Sequence, residues 1–165
     1  MKSYNIAIAG LGGQGIIKAS DILADAAFRA DYDVKKAEVH GMSQRGGSVN
    51  TDVRFGAEVL SPMVPDGEVD VLVLVDASQE PVNRHRLRPG GVPLHPELLA
   101  QLELPDPKTL NVALLGLLSA RLPLPVAAWH DAIRQALPAK VHDMNVDAFD
   151  RGRHCGLEGA ERASG

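Results

Sequence analysis

The six residues Gly10-Leu11-Gly12-Gly13-Gln14-Gly15 stand between a short apolar run and a long stretch of helical periodicity, and this junction constrains the fold most. Tyr4 to Ala9 has the length and apolarity of a buried strand. After the glycines, Ile16, Ile17, Ala19, Ile22, Leu23, Ala26 and Ala27 recur at helical spacing, predicting a helix to about Arg29. A strand that enters a glycine turn and leaves as a helix opens an α/β unit.

The rest of the chain continues the alternation. Val34 to Val39 reads as a second strand, followed by a polar loop from His40 to Gly47. Ser48 to Phe55 reads as a third strand, with Gly56-Ala57 turning it into Glu58-Val59-Leu60. Val69 to Val75 is a nearly continuous apolar run that suits a strand covered on both faces, with Asp76 at its end. Glu80 to Leu87 predicts a short helix, Pro89-Gly90-Gly91 a turn, and Val92 to Leu94 another short strand. Pro96 to Leu102 suits a helical turn, and Leu104 to Lys108, with two prolines, a loop. Helices are expected over Leu110–Leu122, over Pro125–Leu137 with its proline in the first turn, and over Val146–Arg151. Glycine and charge from Gly152 onward predict a frayed end, so the domain is expected to span 1–152 with a flexible tail at 153–165. The expected fold is a three-layer, Rossmann-like α/β domain with a mostly parallel sheet and C-terminal helices.

Gly10, Gly12 and Gly15 match the dinucleotide fingerprint. Such a turn lets the backbone approach a phosphate, and the helix behind it supplies N–H donors. Glu38, at the end of the second strand, stands near where a ribose-binding acid belongs. A nicotinamide or flavin dinucleotide is therefore one reading, and a tight turn without a ligand is another. The loop is not a P-loop, because Ile16 and Ile17 follow Gly15 and Lys18 comes too late. Gln14 places an amide at the helix start, where it can face a ligand or a neighbouring subunit.

The second loop, His40-Gly41-Met42-Ser43-Gln44-Arg45-Gly46-Gly47-Ser48, lies at the C-terminal end of a predicted strand, the side on which open α/β sheets bind ligands. Its glycines allow an anion-binding nest, Arg45 adds a cationic fork, and Ser43, Gln44 and Ser48 add neutral hydrogen-bonding groups. A surface loop whose arginine pairs locally and whose His40 merely packs is the plainer alternative. Neither loop holds a nucleophile–base pair or metal-ligand spacing, so binding fits better than catalysis.

Composition excludes several roles. The formal net charge of −4 argues against nucleic acid as a partner. Cys155 is the only cysteine, so the chain can hold neither an internal disulfide nor an iron–sulfur cluster of its own. No apolar run is long enough to span a bilayer, and a cytoplasmic location is expected.

The segments Gly10–Gly15, Glu38–Val49 and Val53-Arg54-Phe55-Gly56 resemble the gamma-type domain of the 2-oxoacid:ferredoxin oxidoreductases. His-Gly-Met-Ser-Gln-Arg-Gly-Gly-Ser is most similar to the beta subunit of the indolepyruvate enzyme. Ser61-Pro62, Asp70, Leu87–Gly91, Asn111, Leu115-Gly116, Asn145 and Phe149 extend the likeness over about residues 4–152. The resemblance implies a subunit inactive alone. A large alpha subunit would carry thiamine diphosphate and the iron–sulfur clusters. The hetero-oligomer would decarboxylate an aryl-pyruvate, couple the acyl group to coenzyme A and pass electrons to ferredoxin. Gly10, Gly12, Gly13, Gln14, Gly15, His40, Ser43, Gln44, Arg45, Gly46 and Gly47 would then face the partner cleft or coenzyme A. An adaptor that kept the fold and lost the reaction is a further alternative. Two departures stand out. Asp76 replaces the family's more common glutamate, and the stretch from Leu94 to Asn111 is short by an expected strand and helix.

Overall fold

The computed structural model describes residues 2–40 and 47–164, with the backbone alone for His40, Ala163 and Ser164. Strand β1 (Tyr4–Leu11) passes through the glycine loop into helix α1 (Ile16–Arg29). Strands β2 (Asp33–His40), β3 (Ser48–Gly56) and β4 (Val69–Leu74) follow, then the one-turn helix α2 (Glu80–Asn83) and strand β5 (Leu87–Leu94). Helices α3 (Leu110–Ser119), α4 (Val126–Ala136) and α5 (His142–Ser164) close the chain.

The five strands form one sheet in the order β2-β3-β1-β4-β5. β1 pairs parallel with β4, and β4 with β5, whereas β3 pairs antiparallel with both β1 and β2. Four strands thus point one way and β3 alone runs against them, so the expected mostly parallel sheet is a mixed one. The reason lies in the connection between β2 and β3. Residues 41–47 are too few for a parallel crossover, which needs about a dozen residues, so β3 must return beside β2 as in a hairpin. Tyr4, Ile6 and Ile8 on β1 then stand opposite Phe55, Val53 and Thr51, and the Tyr4 and Phe55 rings stack 4.9 Å apart.

The sheet's two faces are covered unequally. Ile6, Ile8, Val53, Phe55, Val71 and Val73 share one core with α1, α3, α4 and α5. On the other face Ala7, Ala9, Leu72 and Leu74 meet Val64, from the connection between β3 and β4, and Leu87. Polar bonds pin that thinner layer. Asp52, buried on the same face, accepts from the Val64 N–H at 3.0 Å, and both its oxygens accept from Arg86 Nη2 at 2.8 Å. Arg54 Nη1 donates to the carbonyls of Ser61 and Met63.

Two local expectations change, while the stretch before α3 is as short as the sequence predicts. Pro89-Gly90-Gly91 lies inside β5 rather than in a turn before it, because Leu87 already pairs with Val69. Between β5 and α3 the chain makes only 3-10 turns at Pro96–Leu99 and Pro107–Thr109. The segment beyond Gly152 is helical, continuing α5 to Ser164. Its glycines serve a close crossing of α5 with α3. A Cβ on Gly152 would overlap the Ala113 carbonyl, and one on Gly156 would lie 2.9 Å from both the Leu117 carbonyl oxygen and the Ala120 methyl.

Candidate functional site

β1, β2, β4 and β5 all end at one edge of the sheet, and β3 begins there. The chain leaves β1 toward β2 on one side, while β4 leads to β5 on the other. The crevice between β1 and β4 is therefore the topological switch point, where open α/β sheets bind ligands. The Val75 N–H donates to the Ala9 carbonyl at 2.9 Å and carries the pairing up to its mouth.

The glycine loop sits over this crevice. Gly12 is exposed, and its N–H donates at 2.9 Å to the carbonyl of Gly47, joining the two glycine-bearing loops. Gly13 has φ +89° and open space around its Cβ position. Gly10 and Gly15 have other duties. A Cβ on Gly10 would overlap the Ile16 side chain and approach Gln14 Oε1 to 2.9 Å, and one on Gly15, at φ +75°, would overlap the Asn111 amide. Their missing side chains make room for the chain's own groups, and the exposed loop backbone is at Gly12 and Gly13.

Gln14 is held at both ends of its amide. Its Oε1 accepts from the Leu11 N–H at 2.7 Å, and its Nε2 donates to Asp76 Oδ2 at 2.8 Å. Asp76, just past the end of β4, also accepts from Ser78 Oγ at 2.6 Å and from the Ser78 N–H at 3.0 Å. The Ser78 hydroxyl first, then the Gln14 amide and the Ser78 N–H, hold its carboxyl below the usual carboxylate range.

A cavity of about 430 Å³ opens beside the loop, lined by Gly13, Gln14, Gly15, Val75, Pro107, Lys108, Leu110 and Asn111. Asn111, in the first turn of α3, donates to the Gly15 carbonyl at 3.1 Å and so draws the Pro107–Thr109 turn to the glycine loop. Asp106 caps that turn through the Lys108 N–H, leaving the exposed Lys108 side chain at the cavity. At α1 the first turn has no acidic residue and no side-chain cap. A second cavity, of about 340 Å³, lies on the loop's other side, toward Ile17, Lys18 and Val49. Lys108 and Asn111 are absent from the site residues read in the sequence. A proline-flanked lysine nearly a hundred positions away carries no local signal of its place.

Of the second-loop residues, the Gly47 carbonyl reaches the first loop. Gly41, Met42, Ser43, Gln44, Arg45 and Gly46, with the His40 side chain, lie outside the described residues. Glu38 sits away from the glycine loop. β3 separates β2 from β1, placing Glu38 two strand spacings, about 9.5 Å, from β1, whereas the dinucleotide fold sets its acid on the adjacent strand. Lys36 pairs with Glu38 at 3.2 Å and also with Asp21. Among the described residues no cluster of histidine, cysteine or carboxylate groups fits a metal ion. None of their helices is long and apolar enough to cross a membrane.

A five-stranded mixed sheet with a glycine loop at the β1/β4 switch point is the architecture of an α/β domain whose ligand crevice lies at that end of the sheet. The sequence model of the pyruvate ferredoxin/flavodoxin oxidoreductase family matches residues 5–105, and the chain belongs to that family. Indolepyruvate oxidoreductase subunit IorB of Pyrococcus horikoshii is 38% identical over 197 aligned positions, which take in 92% of this chain and 95% of that one. That share of 165 residues is about 152, so about 45 aligned positions have no residue here. The fold also matches the gamma subunit of a keto/oxoacid ferredoxin oxidoreductase from Geobacter sulfurreducens. The TM-score is 0.71 at 21% identity, covering 94% of this chain and 99% of that one. The 2-oxoglutarate:ferredoxin oxidoreductase of Magnetococcus marinus matches with a TM-score of 0.80 at 22% identity over 96% of this chain. The chain spans about a third of that longer one, at 32%.

Proposed function

We propose that this chain is the small subunit of an indolepyruvate-type 2-oxoacid:ferredoxin oxidoreductase. In this reading it completes the cleft in which a large partner subunit carries out coenzyme A-dependent oxidative decarboxylation of an aryl-pyruvate, with ferredoxin as electron acceptor. The observation that carries the reading is the near full-length likeness to IorB of Pyrococcus horikoshii. The single cysteine fits the same division of labour, since an iron–sulfur cluster needs several thiolates and must then reside, with thiamine diphosphate, on the partner.

The cavity beside the glycine loop supports a contact with coenzyme A, which the Magnetococcus structure contains. Lys108, the exposed Gly13 backbone and the Asn111 amide at that cavity supply donor chemistry of the kind that phosphates need. Gly10, Gly12, Gln14 and Gly15 shape that loop, and the family likeness of their segment assigns His40, Ser43, Gln44, Arg45, Gly46 and Gly47 to the contact with the partner. Arg45→Ala is expected to leave the fold intact and weaken assembly or turnover, and an unchanged complex with an unchanged rate would remove Arg45 from the site.

The deciding experiment is co-expression with the large thiamine-dependent subunit and an assay of indolepyruvate- and coenzyme A-dependent reduction of an electron acceptor. Activity that requires both chains supports the reading. The positions missing relative to IorB favour one alternative, an adaptor that binds the partner without changing turnover. Tight NAD or flavin binding by the isolated chain, with no complex formed, would restore the dinucleotide reading.

A further inference from the structure

We infer that Asp76 is a positioning residue for coenzyme A: acting through Gln14, it holds the glycine loop in the shape that keeps the cavity at the β1/β4 crevice open. The inference rests on the proposed function for the identity of the ligand, and on this chain's own geometry for the mechanism.

Gln14 lines the cavity, yet both ends of its amide are committed to the protein. Its carbonyl takes the Leu11 N–H while its own N–H bonds back to the Leu11 carbonyl at 3.2 Å, so the turn closes on itself. One of the two N–H donors on its Nε2 points across the crevice to Asp76. The carboxylate in turn grips Ser78, so one residue ties together the turn after β1, the end of β4 and the turn that starts toward α2. A charge-assisted bond is the strongest tether available to an amide, and Asp76 supplies it from outside the loop. Gly10 is what lets the amide lie there at all, since a side chain on it would crowd Gln14 Oε1. Without the tether, the Gln14 amide keeps only its bond from the Leu11 N–H, and the glycine loop loses its link to the end of β4. Asp76 makes no claim on the ligand itself, because its oxygens are turned to Gln14 and Ser78.

The test uses the assembled two-subunit enzyme with Asp76→Ala, Gln14→Ala and the double variant. Each single change is expected to raise the KM for coenzyme A roughly tenfold, with kcat and the KM for the 2-oxoacid little changed, as fits loss of one charge-assisted bond. The double variant should be no worse than either single one, because both break the same link. Effects that multiply, or an unmoved KM for coenzyme A in Asp76→Ala, would overturn the inference. Amide hydrogen exchange on the full-length chain provides the second readout. Asp76→Ala should speed exchange at Leu11 and Gln14 while the amides of β4 and the rest of β1 stay protected, and unchanged exchange at both would equally overturn it. If the wild-type pair shows no coenzyme A-dependent activity, the proposed function fails, and the exchange result still decides whether Asp76 positions the loop.

Discussion

Gly116 of α3 and Phe149 of α5 pack so closely that a methyl group on the glycine would overlap the phenylalanine carbonyl oxygen. The obstacle is backbone, which cannot swing aside as a side-chain tip would. Gly116→Ala and Gly152→Ala should therefore each destabilise the fold by about 2–3 kcal/mol or more, by overpacking. Gly159, on the same helix, has nothing within 4 Å of its Cβ position. Gly159→Ala should stabilise by about 0.5–1 kcal/mol through helix propensity alone. Urea unfolding of the three variants measures both signs, and equal losses at all three positions would contradict the crossing described for α3 and α5.

Asp52 is 3% exposed and depends on Arg86 and the Val64 N–H. Removing the guanidinium leaves a carboxylate buried without its counter-ion, so Arg86→Ala is expected to cost about 3–5 kcal/mol in chemical denaturation. The pair Arg86→Met with Asp52→Leu, which removes both charges, should recover much of that loss. If the single variant melts like the wild type, the ion pair contributes little to fixing the layer over Ala7 and Leu72.

Asp76 sets a pH dependence whose sign can be worked out. Hydrogen bonds from Ser78 and Gln14 hold its folded-state pKa below the ordinary 3.8, so its contribution to stability is fully present above that value. It is lost as the pH falls through the lower folded value. The stability gap between wild type and Asp76→Asn should be constant near neutral pH and shrink below about pH 4. A gap that widens in acid would mean the carboxylate is not favoured by the fold.

Lys108 is exposed and lies at the cavity mouth. Lys108→Ala should leave stability within about 0.5 kcal/mol of wild type, as expected for an exposed site. In the two-subunit enzyme the same change should raise the KM for coenzyme A several-fold, with rescue by Lys108→Arg and a weaker effect at high salt. A KM insensitive to both the substitution and the salt would place the phosphates elsewhere.

The sequence by itself determined the local elements whose signals are local. The strand–glycine–helix opening was legible because apolar runs, glycines and helical spacing sit within one short window. The β4 run and the α3 and α4 helices were legible for the same reason, and the nine residues from His40 to Ser48 carried the family likeness. Tertiary structure decided what depends on residues far apart in the chain. β3 lies between β1 and β2 because the short 41–47 connection forces a return strand, and Ile6, Ile8 and Tyr4 then meet its inward side chains. Gly152 and Gly156 look like fraying by propensity, and become a packing surface only once α3 lies against them. Gln14 and Asp76 are 62 residues apart, and Asn111 and Gly15 are 96 apart. Neither pair has a sequence pattern that joins it. Their bonds exist because parallel strands bring the C-terminal ends of β1 and β4 to one edge, and because α3 folds back over that edge to bury its apolar surface.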